Sequence, residues 1–327
     1  MIVSAVADPT AFGPDGVTDE LSKREAIAFL QGIMENGVLL DSPTKELIRQ
    51  ALECVGTLST KMGQRIQLLL VEIQKQHKKI IVTCDKSRWQ SWSPATVPEK
   101  CSKLASSFKA DAVVTQSKSH QEISNAVGAS IEVLLVSDVS QSTFEDTRRR
   151  VRQVAKPLDE LKPTEIEELI GRATKYAATV RFFDYRMVGS RQRTTKYLAG
   201  IRFVATIWEN WCVVGDASSR CVELYTVGDT NMQGGYLKAD EAKDRLETLI
   251  QQPLDSAITA NVNRFVKRDE DPGVFHTRGF EAHRRAFTID PGFDAIGDAG
   301  PIRSCILSPA PAAELYFTQC RGLKDLA

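Results

Sequence analysis

Two of the four histidines of this chain, His276 and His283, lie close together, and each is followed two positions later by an arginine, Arg278 and Arg285. Residues i and i+2 of an extended strand project from the same face, so each pair would set an imidazole beside a guanidinium. That combination suits a phosphate. The guanidinium clamps phosphoryl oxygens bidentately, while the imidazole attacks phosphorus or carries a proton near neutral pH. Two acids, Asp290 and Asp294, close the stretch. The same residues would also serve as exposed basic positions of an edge strand.

Written as a pattern, His283-x-Arg285-x4-Asp290 has the H-x-K-x4-D spacing of the phospholipase-D superfamily, with Arg in place of Lys. His276-Thr277-Arg278, followed by Gly292-Phe293-Asp294-Ala295-Ile296, resembles the H-D-R and G-[LF]-D-[IF] signature of one branch of that superfamily. The branch is the domain at the C-terminus of microtubule-interacting-and-trafficking (MIT) proteins and in bacterial relatives, and Thr277 stands where its signature has Asp. The resemblance covers roughly the second half of the chain. It implies an α/β sheet domain without a cofactor, in which histidine attacks phosphorus, arginine stabilises the developing charge and a second histidine protonates the leaving oxygen. The superfamily pairs two such motifs, so activity here would require a homodimer bringing two clusters together across a two-fold axis. Both registers stay open on these residues. Parity favours His276 and Arg278, because Asp290 would point away from Arg285 on a regular strand.

The elements that must position these residues read as alternating strands and helices. Ile2 to Ala7 is a β-branched strand ending at Asp8-Pro9, and Lys79 to Thr83, Ala112 to Thr115 and Ile131 to Val136 are further strands. Helices are expected over Ser22–Asn36, from Asp41-Ser42-Pro43-Thr44 onward with Glu46 in the first turn, over Thr57–Lys78 and over Glu99–Phe108. Trp89 and Trp92 fall in a Ser/Pro loop, where they cover the core or stack on a base. This order implies a parallel sheet flanked by helices. Ala110-Asp111-Ala112-Val113-Val114-Thr115-Gln116-Ser117, with the strand after it, resembles the end of a PIN-type nuclease domain, and Asp8 and Glu99 fall where that family keeps acids. The resemblance implies carboxylates, here Asp8, Glu46 and Glu99, that gather Mg²⁺ or Mn²⁺ to activate water against a phosphodiester. Ser117 stands where the family has a further acid, two residues after the Thr, which favours a degenerate domain that has lost catalysis.

The charged, proline-bounded stretch from Thr143 to Leu161, with Arg148-Arg149-Arg150, reads as a helical connector. The expected division is a PIN-like α/β domain over 1–145, a connector over 146–175 and a phospholipase-D-like domain over 176–327. In the last, Glu165–Tyr176, Lys196–Trp211 and Asp240–Gln251 read as helices. Ala178–Phe183, Glu223–Val227 and Ile258–Val266 read as strands, with Ser304–Leu307 and Leu315–Thr318 closing the sheet. The strand ending in Asp184-Tyr185 is similar to the one that opens the suspected family's domain.

Composition narrows the function classes. With 42 Lys+Arg against 42 Asp+Glu among 327 residues, bulk charge does not make a polyanion binder, so any nucleic-acid contact is local. The best local patch is Arg264, Lys267, Arg268, Arg278, Arg284 and Arg285, offset by Asp269, Glu270, Asp271 and Glu281. Seven scattered cysteines without C-x2-C spacing suit free thiols in a reducing cytosol, and neither a signal peptide nor a membrane-spanning apolar run is read. A cytoplasmic protein is expected. No G-x-G-x-x-G follows a strand and no G-x4-G-K-[ST] occurs, which disfavours dinucleotide and P-loop chemistry. Two functions remain: phosphodiester (nucleic-acid) binding or cleavage through the His/Arg cluster, or a non-catalytic interaction or scaffold role, towards nucleic acid or a partner protein, in a bacterial defence or toxin-like assembly.

Overall fold

Buried parallel strands need apolar residues on both faces, and the first strand, β1 (Val3–Ala7), is buried throughout. It forms the middle of a five-stranded sheet in the computed structural model, which describes residues 2–76, 79–82, 86–92, 95–152, 155–184, 191–228, 239–266, 278–283 and 285–310. The chain divides into two compact units, Met1–Gln153 and Val154–Ala327.

In the first unit β1 is followed by α1 (Glu20–Asn36), β2 (Gly37–Asp41), α2 (Glu46–Gly56), α3 (Lys61–Lys75), β3 (Ile80–Val82) and α4 (Lys86–Ser91). Then come α5 (Val97–Ser107), β4 (Ala112–Thr115), α6 (Ser117–Ala126), β5 (Glu132–Leu135) and α7 (Thr143–Arg152). All neighbouring strands are parallel, in the order β3-β2-β1-β4-β5. The sheet therefore reverses its direction of growth between β1 and β4, where an open α/β sheet forms its crevice beyond the carboxyl ends of the strands.

Several expectations are corrected here. Gly37 stops α1 as the sequence reads it, its N–H donating to the Ile33 carbonyl. The next helix opens only at Glu46, whereas the sequence reads Asp41 as its opening, and Gly37–Asp41 is a strand. Only three apolar residues, Val38, Leu39 and Leu40, mark it, because a strand buried on both faces shows no alternation. The single helix expected over Thr57–Lys78 begins later, at Lys61, where Thr60 Oγ1 accepts from Gly63 N at 3.0 Å as its N-cap. Trp89 lies in α4 and is 7% exposed, so it covers the core.

The connector expected over 146–175 is not a separate piece. Its start is the end of α7, which belongs to the first unit: Phe144 is buried and Arg148 bonds Glu145 and Glu35, while its carbonyl accepts from Asn36. The Arg148-Arg149-Arg150 run is thus largely a helix face paired with Glu145. Its end, α8 (Pro163–Thr174), belongs to the second unit and buries Ile166, Leu169 and Ile170.

The second unit begins with β6 (Lys156–Pro157) before α8 and continues with β7 (Thr179–Phe183), α9 (Arg191–Trp211), β8 (Cys221–Gly228), α10 (Ala239–Gln251) and β9 (Thr259–Val266). A hairpin, β10 (Gly279–Ala282) and β11 (Arg285–Asp290), precedes β12 (Ile296–Gly297), β13 (Gly300–Pro301) and β14 (Ile306–Pro309). The seven-stranded sheet runs β6-β14-β11-β10-β7-β8-β9, parallel over β7, β8 and β9 and antiparallel elsewhere. One face is apolar, with Phe182, Phe280 and Phe287 fully buried. On the other, Glu281, Arg181 and Glu223 lie side by side in register, with Arg181 Nε 2.5 Å from Glu223 Oε2. Burial, reinforced by Glu223, pushes the neighbouring Tyr225 hydroxyl up to about 12. Leu315–Thr318 lies outside the described residues.

Candidate functional site

The hairpin decides which members of the His/Arg stretch can act together. Ala282 pairs with Arg285, so the loop has two residues and His283 takes φ +44, the left-handed conformation such tight turns require. His283 and Arg285 thus sit at the turn, while Arg278 and Asp290 sit at the open end, where Gly279 pairs with Thr288. Five residue steps along β11, at about 3.3 Å each, separate Arg285 from Asp290 by roughly 17 Å. Asp290 is exposed and, by parity, faces away from Arg285. One protomer therefore does not bring His283, Arg285 and Asp290 into one site. His276 and Thr277 lie outside the described residues.

Arg278 and Asp294 do come together. The carbonyl of Arg278 accepts from Ile289 N at 2.9 Å, which extends the hairpin ladder by one residue. Its Nη1 donates to the Pro291 carbonyl. A Cβ at Gly292 (φ +145) would lie 2.6 Å from Arg278 Cδ, 2.8 Å from its Nη1 and 3.2 Å from Asp294 Oδ1. Glycine is thus favoured by the backbone conformation, and the Arg278 and Asp294 side chains close over it. Asp294 accepts from Arg303 Nη2 through Oδ2, and its buried Oδ1 has no hydrogen-bond partner among the described residues. On the other side, Gly279 pairs with Phe183, the last pair of that ladder, and Asp184 follows Phe183 at the end of β7. Asp184 is 1% exposed, and its N–H donates to the Tyr225 carbonyl at 3.1 Å.

This edge is the carboxyl end of the parallel strands β7 and β8, the usual place for function in such sheets. It is held firmly. The turn after Gly292 rests on α9, where a Cβ on Gly200 would lie 2.3 Å from the Phe293 carbonyl oxygen. Arg202 of α9 ties down the far end of the turn, donating to Asp298 Oδ1 at 2.7 Å. Phe293 is fully buried and meets Phe182 edge-on at 5.6 Å between ring centroids. Two guanidinium groups, Arg278 and Arg303, are thereby anchored by one short turn, a layout that can hold phosphoryl oxygens through the planar N–H fork.

The acids expected in the first unit are engaged otherwise. Asp8, fully buried at the carboxyl end of β1, accepts from Thr10 N at 3.0 Å, from Thr10 Oγ1 at 2.8 Å and from Thr115 Oγ1 at 2.8 Å. It closes the turn after β1 and ties it to the end of β4. Glu46 accepts from Trp89 Nε1 at 2.8 Å and pairs with Lys100 at 3.3 Å. Glu99 is the N3 residue of a capping box, its Oε2 accepting from Thr96 N at 2.7 Å at the start of α5.

Asp41, at the end of the strand the sequence did not reveal, is a further buried acid on this edge. It accepts from the N–H groups of Ser42, Leu47 and Ile48 at 2.6, 3.0 and 3.0 Å, and burial, outweighing those bonds, pushes it up to about 6. A void of about 10 Å³ lies beside it. Cys101, fully buried, is pushed well up by burial and by the carboxylates of Asp8 and Asp41. Among the described residues no three His, Cys, Asp or Glu side chains form a group that could hold a metal ion. Asp8, Glu46 and Glu99 each already have protein partners in this arrangement.

The chain matches no family model, no curated protein and no solved structure among known proteins. The phospholipase-D-like and PIN-like resemblances therefore rest on the residues quoted above. Among the described residues no helix is long and apolar enough to cross a membrane. Sequence reasoning left Asp184, Arg303 and Asp41 out of its candidate sites. Asp184 was visible only as an acid ending a strand, and nothing local to Arg303 signals that it pairs with Asp294.

Proposed function

We propose that this protein binds phosphodiesters, nucleic acid foremost, at the edge of the second unit's sheet, through Arg278 and Arg303 on either side of the Gly292–Asp294 turn. The observation that carries the reading is the closure of Arg278 and Asp294 on Gly292, which joins two sequence segments thirteen or more residues apart into one charged feature. Guanidinium groups pre-positioned by a buttressed turn lose little freedom on binding a phosphate, so they contribute more affinity than mobile surface arginines. His276, two residues before Arg278, is the group whose imidazole would add phosphoryl chemistry to this binding site.

Within the proposal the first unit is a PIN-like module that serves interaction rather than metal-dependent cleavage. The use of Asp8, Glu46 and Glu99 as a turn lock, an ion-pair partner and a helix cap supports that role. The protein would then act as a non-catalytic recognition component of a larger assembly, as a homodimer where two binding edges are needed. The test is fluorescence anisotropy with labelled single- and double-stranded DNA and RNA in Mg²⁺, Mn²⁺ and EDTA. Binding that survives EDTA, falls steeply with salt and leaves the strands intact is expected. Metal-dependent cleavage would assign catalysis to the acids of the first unit and overturn the binding-only reading.

A further inference from the structure

Arg303 has a second side. It lines a cleft of about 360 Å³ in the second unit, within the size range of small-ligand sites. Leu158 and Ile166 are its buried apolar floor, 0% and 3% exposed. Phe203, half-buried on α9, and Ile302, 66% exposed, are its walls. Ile302 thus stands open to water at the mouth of a cleft of mixed polar and apolar lining.

The polar groups are few and complementary. Asp159 Oδ1 accepts weakly from Cys305 N at 3.3 Å and Ser304 Oγ at 3.4 Å, and among the described residues Oδ2 has no hydrogen-bond partner. Arg303 is half exposed and gives one N–H to Asp294; its other donors meet no acceptor among the described residues. The cleft thus offers an aromatic ring and an aliphatic wall, a carboxylate acceptor and a guanidinium shared with the phosphodiester site.

We propose that this cleft is a nucleotide subsite. A base lies between Phe203 and Ile302, its N–H edge donates to Asp159 Oδ2, and its phosphate takes the remaining donors of Arg303. The inference rests on the phosphodiester reading above and names what that site recognises: one unstacked nucleotide. An apolar side chain of a protein partner would fill the same walls, but it would make no use of Asp159 or of the free face of Arg303, both open to water.

The experiment titrates the full chain with a 5′-phosphorylated single-stranded tetranucleotide, with the same strand abasic at its first position, and with AMP as competitor. The base-bearing strand is expected to bind about tenfold tighter than the abasic one, the scale of one base stacked on an aromatic ring. Phe203→Leu, which keeps apolar volume but removes the ring face, should lower the base-bearing strand to the abasic level, and Asp159→Asn should reduce the preference among bases. Competition by AMP at millimolar or lower concentration identifies a free-nucleotide pocket, and competition by oligonucleotide alone identifies a strand end; either supports the subsite. Equal affinity for base-bearing and abasic strands, with both weakened by Arg278→Ala, overturns the subsite, leaves the cleft to a protein side chain and keeps the phosphodiester reading. Absence of binding to any strand overturns both.

Discussion

Gly292→Ala is the sharpest local perturbation of the Arg278 site. The residue has φ +145 and ψ 178, a region that side-chain-bearing residues enter only with strain of about 1–3 kcal/mol. The added Cβ would also sit 2.6 Å from Arg278 Cδ and 2.8 Å from Nη1, so the guanidinium must leave the Pro291 carbonyl, which costs about 1 kcal/mol more. The sum of roughly 2–4 kcal/mol lowers the melting temperature of the second unit by roughly 4–16 °C, at about 2–4 °C per kcal/mol for a domain of this size. Displacement of Arg278 should weaken oligonucleotide binding about tenfold, equivalent to about 1.4 kcal/mol. Differential scanning fluorimetry and anisotropy read the two effects. Gly128→Ala is the matched control, because a Cβ there meets nothing within 4 Å. If Gly292→Ala behaves like Gly128→Ala in both assays, the turn does not position Arg278 and the reasoning is refuted.

Other perturbations test the supports around this site and the roles of the first unit's acids. Gly200→Ala places a Cβ 2.3 Å from a backbone oxygen, so overpacking should cost the second unit about 2 kcal/mol in urea unfolding; an unchanged midpoint would show that the turn does not rest on α9. Trp89→Phe removes the donor to Glu46 and should cost about 2 kcal/mol, the scale of a hydrogen bond to a charged group, whereas a cost below a few tenths would show that Glu46 is held by other means. Asp41 titrates near 6 in the folded chain against 3.8 ordinarily, so the folded state binds its proton more tightly between those values. Stability attributable to this group therefore falls as pH rises from about 4 to 6, by up to about 3 kcal/mol, and stays low above that. Asp41→Asn cannot ionise, so the stability of the natural chain minus that of the variant should drop across this window in urea titrations; a flat or rising difference would contradict the assignment.

Ala112–Thr115 is read at its observed bounds, because a short β-branched run between turn residues has few other solutions, whereas Arg285–Asp290 is a strand that the sequence offers only under the disfavoured His283 register. The mixed α/β class and the parallel arrangement around β1 follow from the alternation of strands and helices. Gly37–Asp41 escaped because a doubly buried strand of five residues directly after a helix has no period of its own. At the candidate sites sequence showed which residues could do chemistry, not what already satisfied them. Thr96-x-x-Glu99 is legible as a capping box, while the PIN-type resemblance implies a metal-binding role for Glu99. Asp8 stands where a functional acid would, and only the structure shows Thr10 and Thr115 donating to it. The hairpin turn at His283 moves that histidine away from Asp290, a separation set by register that the linear pattern conceals.

The central claim is that the Arg278 edge, rather than the His283 turn, holds the phosphodiester. Anisotropy titrations of Arg278→Ala and His283→Ala against one labelled single-stranded oligonucleotide, at fixed salt in EDTA, test it most directly. The account predicts a loss of about tenfold or more for Arg278→Ala, the scale of one charged hydrogen-bonding contact, and less than about twofold for His283→Ala. The reverse ranking, or equal affinities for both variants and the natural chain with folding intact, would contradict it.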